Sequence, residues 1–158
     1  MIFITLGSQK FQFNRLLVEI DELVGQGKLD DDVFAQIGYS DYIPKNYKYK
    51  KFLDRDEFAK SEEKADIVIT HGGTGAIMGA LKNGKKVIAV PRLAKYDEHV
   101  DDHQVQLIKQ FEANNLIFSV FNIKNLGSAI KKIKSHHFNS YKSNTDVIID
   151  SIDKFIRG

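Results

Sequence analysis

The most constraining segment of this chain is residues 66–75, which read Asp-Ile-Val-Ile-Thr-His-Gly-Gly-Thr-Gly. The apolar half predicts a buried β-strand, and the three glycines that follow predict a tight turn into a helix at residues 75–83. A strand that turns directly into a helix presents bare backbone N–H groups and a helix amino terminus at its carboxyl end. This arrangement suits a phosphate group, because glycine has no side chain to keep a ligand away.

The rest of the chain alternates between apolar runs and segments of helical periodicity. Nearly continuous apolar runs predict parallel strands covered on both faces, at residues 2–6, 32–37, 49–53, 67–70, 87–90 and 116–120. Helices are predicted at residues 13–24, 55–64, 75–83, 100–114, 126–133 and 148–156. Such alternation predicts an α/β fold with a doubly wound, Rossmann-like parallel sheet.

Composition excludes several other classes of protein. With 158 residues the chain can bury a substantial core, and we expect one domain over residues 1–158. A formal net charge of +2 gives no reason to expect nucleic acid as a partner. The absence of cysteine excludes disulfide and thiolate chemistry. No apolar run approaches the length of a membrane span, and residues 1–6 are interpreted as a strand rather than a signal peptide.

The glycine-rich turn at residues 70–75 has a structural and a functional interpretation. Glycines serve packing alone in many tight turns. Three of them in four positions, flanked by His71 and Thr74, favour a ligand site instead. In that interpretation the amides of residues 73–76 and the Thr74 hydroxyl bind a diphosphate.

A dinucleotide site is a further alternative for the same turn. The spacing of Gly73, Gly75 and Gly79 is close to the fingerprint of NAD(P)-binding proteins. That fingerprint normally follows the first strand of the fold, and here it follows the fourth predicted strand. A nicotinamide cofactor is therefore the less favoured alternative.

Residues 91–104 form a second polar segment, which follows an apolar strand and enters a helix. His99 and His103 are four residues apart and would share one face of that helix. A metal site with Glu98 or Asp102 as a third ligand is therefore an alternative. The segment lacks the H-E-x-x-H pattern, and no second acidic cluster completes such a site, so we predict no metal.

Polar side chains in this segment also suit a ligand rich in hydroxyl groups. Gln104 lies on the same helical stripe as the apolar Leu107 and Phe111, so we place it against the ligand. Asp101 and Asp102 have a structural explanation as well, since acidic residues stabilise the amino terminus of a helix.

A third turn begins at Gly7 and Ser8, after the first predicted strand. In doubly wound folds, ligands bind at the carboxyl ends of the strands. Residues 7–10, 71–75 and 91–104 all fall at such ends, so we expect them to form the walls of one pocket.

Two basic segments, residues 45–52 and 131–137, are interpreted as solvated surfaces. The first interleaves lysines with aromatic residues and is typical of a strand with an exposed lysine face. A nucleic-acid or membrane-surface patch is the alternative. The small net charge argues against nucleic acid.

Four segments together resemble the C-terminal, donor-binding half of family 28 glycosyltransferases, which have the GT-B fold. They are residues 4–8, 65–75, 84–92 and 98–104, and the last is the most specific. The likeness is nearest to the small soluble subunit of two-chain transferases. That group includes the eukaryotic enzyme that acts on a dolichol-linked sugar and bacterial capsule and exopolysaccharide enzymes, and this chain looks more like the bacterial members.

The resemblance implies a set of substrate-binding residues and no metal or cofactor. In that family the glycine loop meets the UDP diphosphate, and the acidic-His-Gln segment meets the donor sugar. Together with the turns identified above, the candidate binding residues are Gly7, Ser8, His71, Gly72, Gly73, Thr74, Gly75, Arg92, Glu98, His99, Asp102, His103 and Gln104. The general base is not assigned, and His71 and His99 are its candidates.

One position departs from the family pattern. Many members carry a glutamate in the helix after the glycine loop, where it holds the ribose hydroxyls. Gly79 occupies that place here, so ribose recognition is expected to come from elsewhere.

The resemblance also implies a mechanism and a partner. We expect inverting, metal-independent transfer of a hexose from a UDP-sugar to a lipid-linked acceptor in surface polysaccharide synthesis. In related enzymes the acceptor site and the base belong to the other half, so this chain is expected to act with a membrane-anchored, acceptor-binding subunit. That partner would recruit a cytoplasmic chain to the inner face of the membrane. The alternative is a non-catalytic, nucleotide-sugar-binding activator of a transferase that is complete without it.

Overall fold

A computed structural model describes residues 1–7, 10–98 and 102–140, and within them six strands form one parallel sheet. The strands are β1 (Ile2–Thr5), β2 (Val33–Gln36), β3 (Lys48–Lys50), β4 (Ile67–Thr70), β5 (Lys86–Ala89) and β6 (Phe118–Ser119). Their order across the sheet is β3-β2-β1-β4-β5-β6. This is the strand order of the Rossmann-type sheet, so the predicted fold class is confirmed.

Helices connect the strands in the alternation that the sequence predicts. They are α1 (Asn14–Gly25), α2 (Arg55–Lys64), α3 (Thr74–Lys82), α4 (Asp102–Ala113) and α5 (Leu126–Ile133). The helix predicted at residues 148–156, and the predicted start of α4 at residues 100 and 101, lie outside the described residues. In the described part of the chain, no helix is long and apolar enough to cross a bilayer.

The sheet is covered on both faces, as its continuous apolar strands predict. In β1, Ile2 and Ile4 belong to the core shared with the buried sides of α1 and α5. Phe3, between them in sequence, belongs to the core on the opposite face, which α3 and α4 complete. Side chains alternate between the two faces of a strand, and each face of β1 therefore has its own apolar layer.

The two edge strands are shorter than predicted. β3 covers Lys48–Lys50 instead of residues 49–53, and its three residues are exposed, as a solvated lysine face requires. β6 covers Phe118–Ser119 instead of residues 116–120, although Leu116 and Ile117 are buried. Each edge strand pairs with one neighbour only. Apolar character predicts burial there better than it predicts the extent of the hydrogen-bonded ladder.

The topology places a crevice between β1 and β4. These strands are neighbours in the sheet, and they pair in parallel from Ile2 with Ile67 to Thr5 with Thr70. From β1 the chain proceeds outward through β2 and β3, whereas from β4 it proceeds the other way through β5 and β6. Connections that diverge in this way leave an opening at the carboxyl ends of the two strands, where ligands of such folds bind.

Candidate functional site

The amino terminus of α3 opens at the carboxyl end of β4. Gly73 is the N-cap residue, and glycine has no side chain with which to cap the helix. The first helical hydrogen bond runs from the Ile77 amide to the Gly73 carbonyl at 3.0 Å. The amides of residues 74–76 precede it, and the first amides of a helix have no partner within the helix. Among the residues that the structure describes, nothing lies within 4 Å of a Cβ atom built at Gly75, so these residues leave the space beside the donors open.

A cavity of about 520 Å³ lies beside this helix end. Its lining comes from β1, β2, α2, α3 and the turns that follow β1 and β4, and consists of Thr5, Gly7, Gln36, Phe58, Glu62, His71, Gly73, Gly75, Ala76 and Gly79. The structure thus brings together the predicted residues Gly7, His71, Gly73 and Gly75. Sequence reasoning missed the polar Thr5, Gln36 and Glu62, because nothing in their local patterns distinguishes them from core-facing positions.

His71 packs between two glycines of the site. A Cβ atom on Gly7 would lie 2.8 Å from the imidazole Cε1, and one on Gly73 would lie 2.7 Å from Nε2. Both distances are shorter than any normal carbon contact, so a side chain at either position would displace the imidazole from its place. Gly7 also has a φ of +72°, which other residues adopt with strain. The imidazole therefore fixes how the turn after β1 lies against the turn after β4.

The environment of His71 keeps its side chain neutral. The pKa of His71 is lowered to about 4, chiefly by burial and also by the positive charge of Arg92, while a hydrogen bond with the Thr5 carbonyl opposes both effects. A general base works best when its pKa lies near the working pH. His71 is therefore poorly matched to proton abstraction at neutral pH.

The neutral His71 should make the fold sensitive to acid. Its pKa is about 4 in the folded chain and 6.5 when unperturbed, so the unfolded chain binds the proton more tightly. Above pH 6.5 the group has little effect, and stability is lost as the pH falls from 6.5 towards 4. Lowering the pH from 7 to 5 should remove about 2 kcal/mol of unfolding free energy through this group.

Urea unfolding of the wild type and His71→Gln at both pH values measures this contribution. The variant should lose about 2 kcal/mol less than the wild type between pH 7 and pH 5. An equal loss in both proteins would show that His71 titrates normally in the fold.

Arg92, a predicted ligand residue, is buried and bonded to backbone carbonyls. It is 1% exposed, and its terminal nitrogens donate to Leu6 O at 2.8 Å and to Phe11 O and Gln12 O at 3.0 Å. Its Nε is buried and makes no hydrogen bond with the described residues. Burial lowers the pKa of Arg92 to about 10, which the charge of Glu98 opposes, so the group stays charged at neutral pH.

Glu98, another predicted ligand residue, is also 1% exposed and forms an ion pair. Its carboxylate accepts from Nε and Nη2 of Arg15, each at 3.0 Å, and from the Leu93 amide at 3.0 Å. The Arg15 guanidinium carbon lies 5.3 Å from the Phe13 ring centroid and 4.9 Å from that of Tyr96. Sequence reasoning missed Arg15, which is 83 residues from its partner and has no local signal.

The remaining predicted residues lie around α3 and α4. Thr74 is the first residue of α3, and Gly72 precedes it with a φ of +92° beside Ile108. Asp102 and His103 begin α4, and Gln104, in the same turn, is partly buried. Ser8 and His99 lie outside the described residues. Among the residues that the structure describes, no group of three or more potential metal ligands occurs.

Comparisons with known proteins agree with this geometry. The model of the glycosyltransferase family 28 C-terminal domain matches residues 1–155. The UDP-N-acetylglucosamine transferase subunit ALG13 of Mus musculus is 26% identical in an alignment 132 residues long, which covers 73% of this chain. The chain spans only 10% of the length of that mouse protein.

Solved structures support the same fold. An NMR structure of ALG13 superposes with a TM-score of 0.62 and 16% identity, and 96% of each chain is covered. The glycosyltransferase of kitacinnamycin superposes with a TM-score of 0.65 and 18% identity, over 99% of this chain and 38% of the other. The predicted half of a GT-B architecture is thereby confirmed as a fold. Because the family model covers nearly the whole chain, the resemblance seen in the sequence is also confirmed, and the chain belongs to glycosyltransferase family 28 as a C-terminal domain.

Proposed function

We propose that this chain binds the donor of a glycosyltransferase, a UDP-hexose, in the cavity between β1 and β4. The observation that carries the proposal is the amino terminus of α3, whose N-cap is a glycine without a capping side chain and whose first amides lie beside that cavity. Helix amino termini carry a partial positive charge and unpaired N–H donors, and both features bind phosphate oxygens. In this proposal the diphosphate contacts residues 73–76, and no metal ion takes part.

The uridine assignment draws on a relative, ALG13 of Mus musculus, which is a UDP-N-acetylglucosamine transferase subunit. The cavity extends from the helix end along α3 to Gly79, where a Cβ atom would meet nothing within 4 Å. It is bounded on the side of α2 by Phe58 and Glu62. A nucleoside attached to the diphosphate could occupy this groove without displacing a side chain from α3.

The proposed chemistry is transfer with inversion. An acceptor hydroxyl attacks the anomeric carbon from the face opposite the phosphate, the bond from that carbon to the phosphate oxygen breaks, and UDP leaves with the bonding electrons. A base takes the proton of the hydroxyl. The amides at α3 stabilise the negative charge that gathers on the leaving diphosphate.

We propose that the acceptor site and the base belong to a membrane-anchored partner subunit that binds a lipid-linked acceptor in surface polysaccharide synthesis. The exposed apolar side chains at the carboxyl end of the sheet support a partner there. They follow β1, β2, β3, β5 and β6, and consist of Phe11, Tyr39, Ile43, Phe52, Tyr96 and Phe121. Apolar groups concentrated at one edge are typical of an interaction surface. The partner would hold this chain at the cytoplasmic face of the membrane.

Calorimetric titration tests the donor proposal. UDP should bind the isolated chain in buffer that contains EDTA, with one site per chain, and NADPH should not. Binding of NADPH in preference to UDP would support the dinucleotide alternative. A requirement for added Mg²⁺ would overturn the metal-independent mechanism.

A further inference from the structure

We propose that Arg92, Glu98 and Arg15 form a positioning unit that sets the walls of the nucleotide cavity. The unit contacts no substrate in this proposal. It fixes the turn after β1 to the segment after β5 and so places Gly7 against His71. The inference takes its ligand, UDP, from the proposed function.

The order of the strands makes such a connection necessary. β4 lies between β1 and β5, so the glycine-rich turn after β4 has one neighbouring turn on each side. The sheet's own hydrogen bonds continue for one residue past each strand, from the Leu6 amide to Gln36 O and from the Val90 amide to Thr70 O. The contacts that hold the two turns farther out are bonds between the turns themselves. Hydrogen bonds that join the two neighbours therefore set the width of the opening above β4.

The bonds that join them run in both directions. From the segment after β5, Arg92 donates to the carbonyls of Leu6, Phe11 and Gln12, which lie after β1. In return, the Gln12 side chain donates to the Tyr96 carbonyl at 2.9 Å. Arg15, at the start of α1, donates to the Pro91 carbonyl at 3.2 Å and forms the bidentate pair with Glu98.

The peptide bond between Leu6 and Gly7 connects the positioning unit to the cavity wall. The Leu6 carbonyl that accepts from Arg92 belongs to the peptide bond that Gly7 shares. Gly7 packs on the His71 imidazole, which in turn packs on Gly73, the N-cap of α3. A shift of the Leu6 carbonyl would therefore move the imidazole and the first amides of α3.

The geometry requires a guanidinium at position 92. Its Nη2 bonds Leu6 O while its Nη1 bonds Phe11 O and Gln12 O. A lysine keeps the positive charge, but its single nitrogen cannot occupy both positions. Arg92→Lys therefore breaks hydrogen bonds from position 92 to the turn after β1, while it retains the positive charge next to Glu98.

Two variants and one control test the proposal. Arg92→Lys and Arg15→Lys should each weaken UDP binding about tenfold in the folded protein, because small displacements of binding groups have large effects. In ligand-free ¹⁵N NMR spectra, the amide signals of Gly7 and Gly73 should move. Arg55→Lys is the matched control, since Arg55 is exposed at the start of α2, and it should change neither readout.

The outcomes separate this inference from the proposed function. A purely structural role would lower the urea midpoint of both variants without moving those amides or changing the UDP affinity of folded protein, and it would overturn the inference. If Arg92→Lys does not fold, the UDP affinity and the Gly7 and Gly73 amide signals of Arg15→Lys test the inference instead. If the wild type does not bind UDP, the donor proposal fails, and the Gly7 and Gly73 amide shifts still decide whether the unit positions the cavity wall.

Discussion

Replacing Gly75 with aspartate is expected to abolish UDP binding while the fold stays intact. Among the described residues, a Cβ atom at this position meets nothing within 4 Å, so the backbone leaves room for a side chain to begin here. It does place a carboxylate beside the amides proposed to hold the diphosphate. Two unit charges about 4 Å apart at a protein surface repel by about 4 kcal/mol, which corresponds to a loss of about a thousandfold in affinity. Calorimetry measures the affinity, and circular dichroism verifies the fold.

Gly75→Asn is the matched control, because asparagine has the shape of aspartate without its charge. It should bind UDP much more tightly than Gly75→Asp. Similar affinities for the two variants, or wild-type affinity for Gly75→Asp, would contradict a phosphate site at this helix end.

The same variant distinguishes a donor-binding subunit from an activator. In a transferase reconstituted with its partner, Gly75→Asp should also stop sugar transfer if this chain supplies the donor site. Undiminished transfer by a variant that no longer binds UDP would assign the donor site to the partner, as the activator alternative requires.

Of the substitutions proposed for this chain, Arg92→Met is expected to lower the free energy of unfolding the most. The change removes a buried positive charge beside Glu98 and leaves the carbonyls of Leu6, Phe11 and Gln12 without this donor. Leaving an acceptor in the interior without its donor typically costs about 1 to 3 kcal/mol, and three carbonyls lose theirs here, so the unfolding free energy should fall by about 3 kcal/mol or more. Urea unfolding at neutral pH measures the change.

Lys124→Met is the control for this experiment. Lys124 pairs with Glu19 at 3.4 Å, but its side chain is 74% exposed, so its loss should have little effect. A similarly small effect for Arg92→Met would mean that solvent or Arg15 compensates for the missing guanidinium, and that the two turns are not held by Arg92.

The fold was predictable because its signals are local. Runs such as residues 67–70 are apolar throughout and lie between helical segments, and that pattern alone indicates a sheet covered on both faces. The extent of the edge strands was not predictable. Pairing at β3 and β6 depends on a single neighbour, and the sequence of the strand does not encode that neighbour.

The candidate site was predictable only where consecutive residues build it. The conformation of the turn at residues 70–75 follows from its own consecutive residues, and its glycines lie between β4 and α3 as the sequence predicts. Glu98 was assigned to the ligand on the basis of the family resemblance, and Arg92 as part of the polar segment at residues 91–104, but most of their hydrogen bonds are with distant parts of the chain. The bond from Glu98 to Arg15 spans 83 residues, and no local pattern indicates such a pair.

The most direct test of the account is an NMR titration of the ¹⁵N-labelled chain with UDP in the presence of EDTA. The amide signals of Gly73, Thr74, Gly75 and Ala76 should move in proportion to one shared saturation curve, together with that of Gly7. Signals at the opposite end of the sheet, such as those of Gly84 and Lys85, should stay in place. Saturable shifts confined to that opposite end, with Gly73 to Ala76 unchanged, would contradict the proposal that α3 receives the diphosphate.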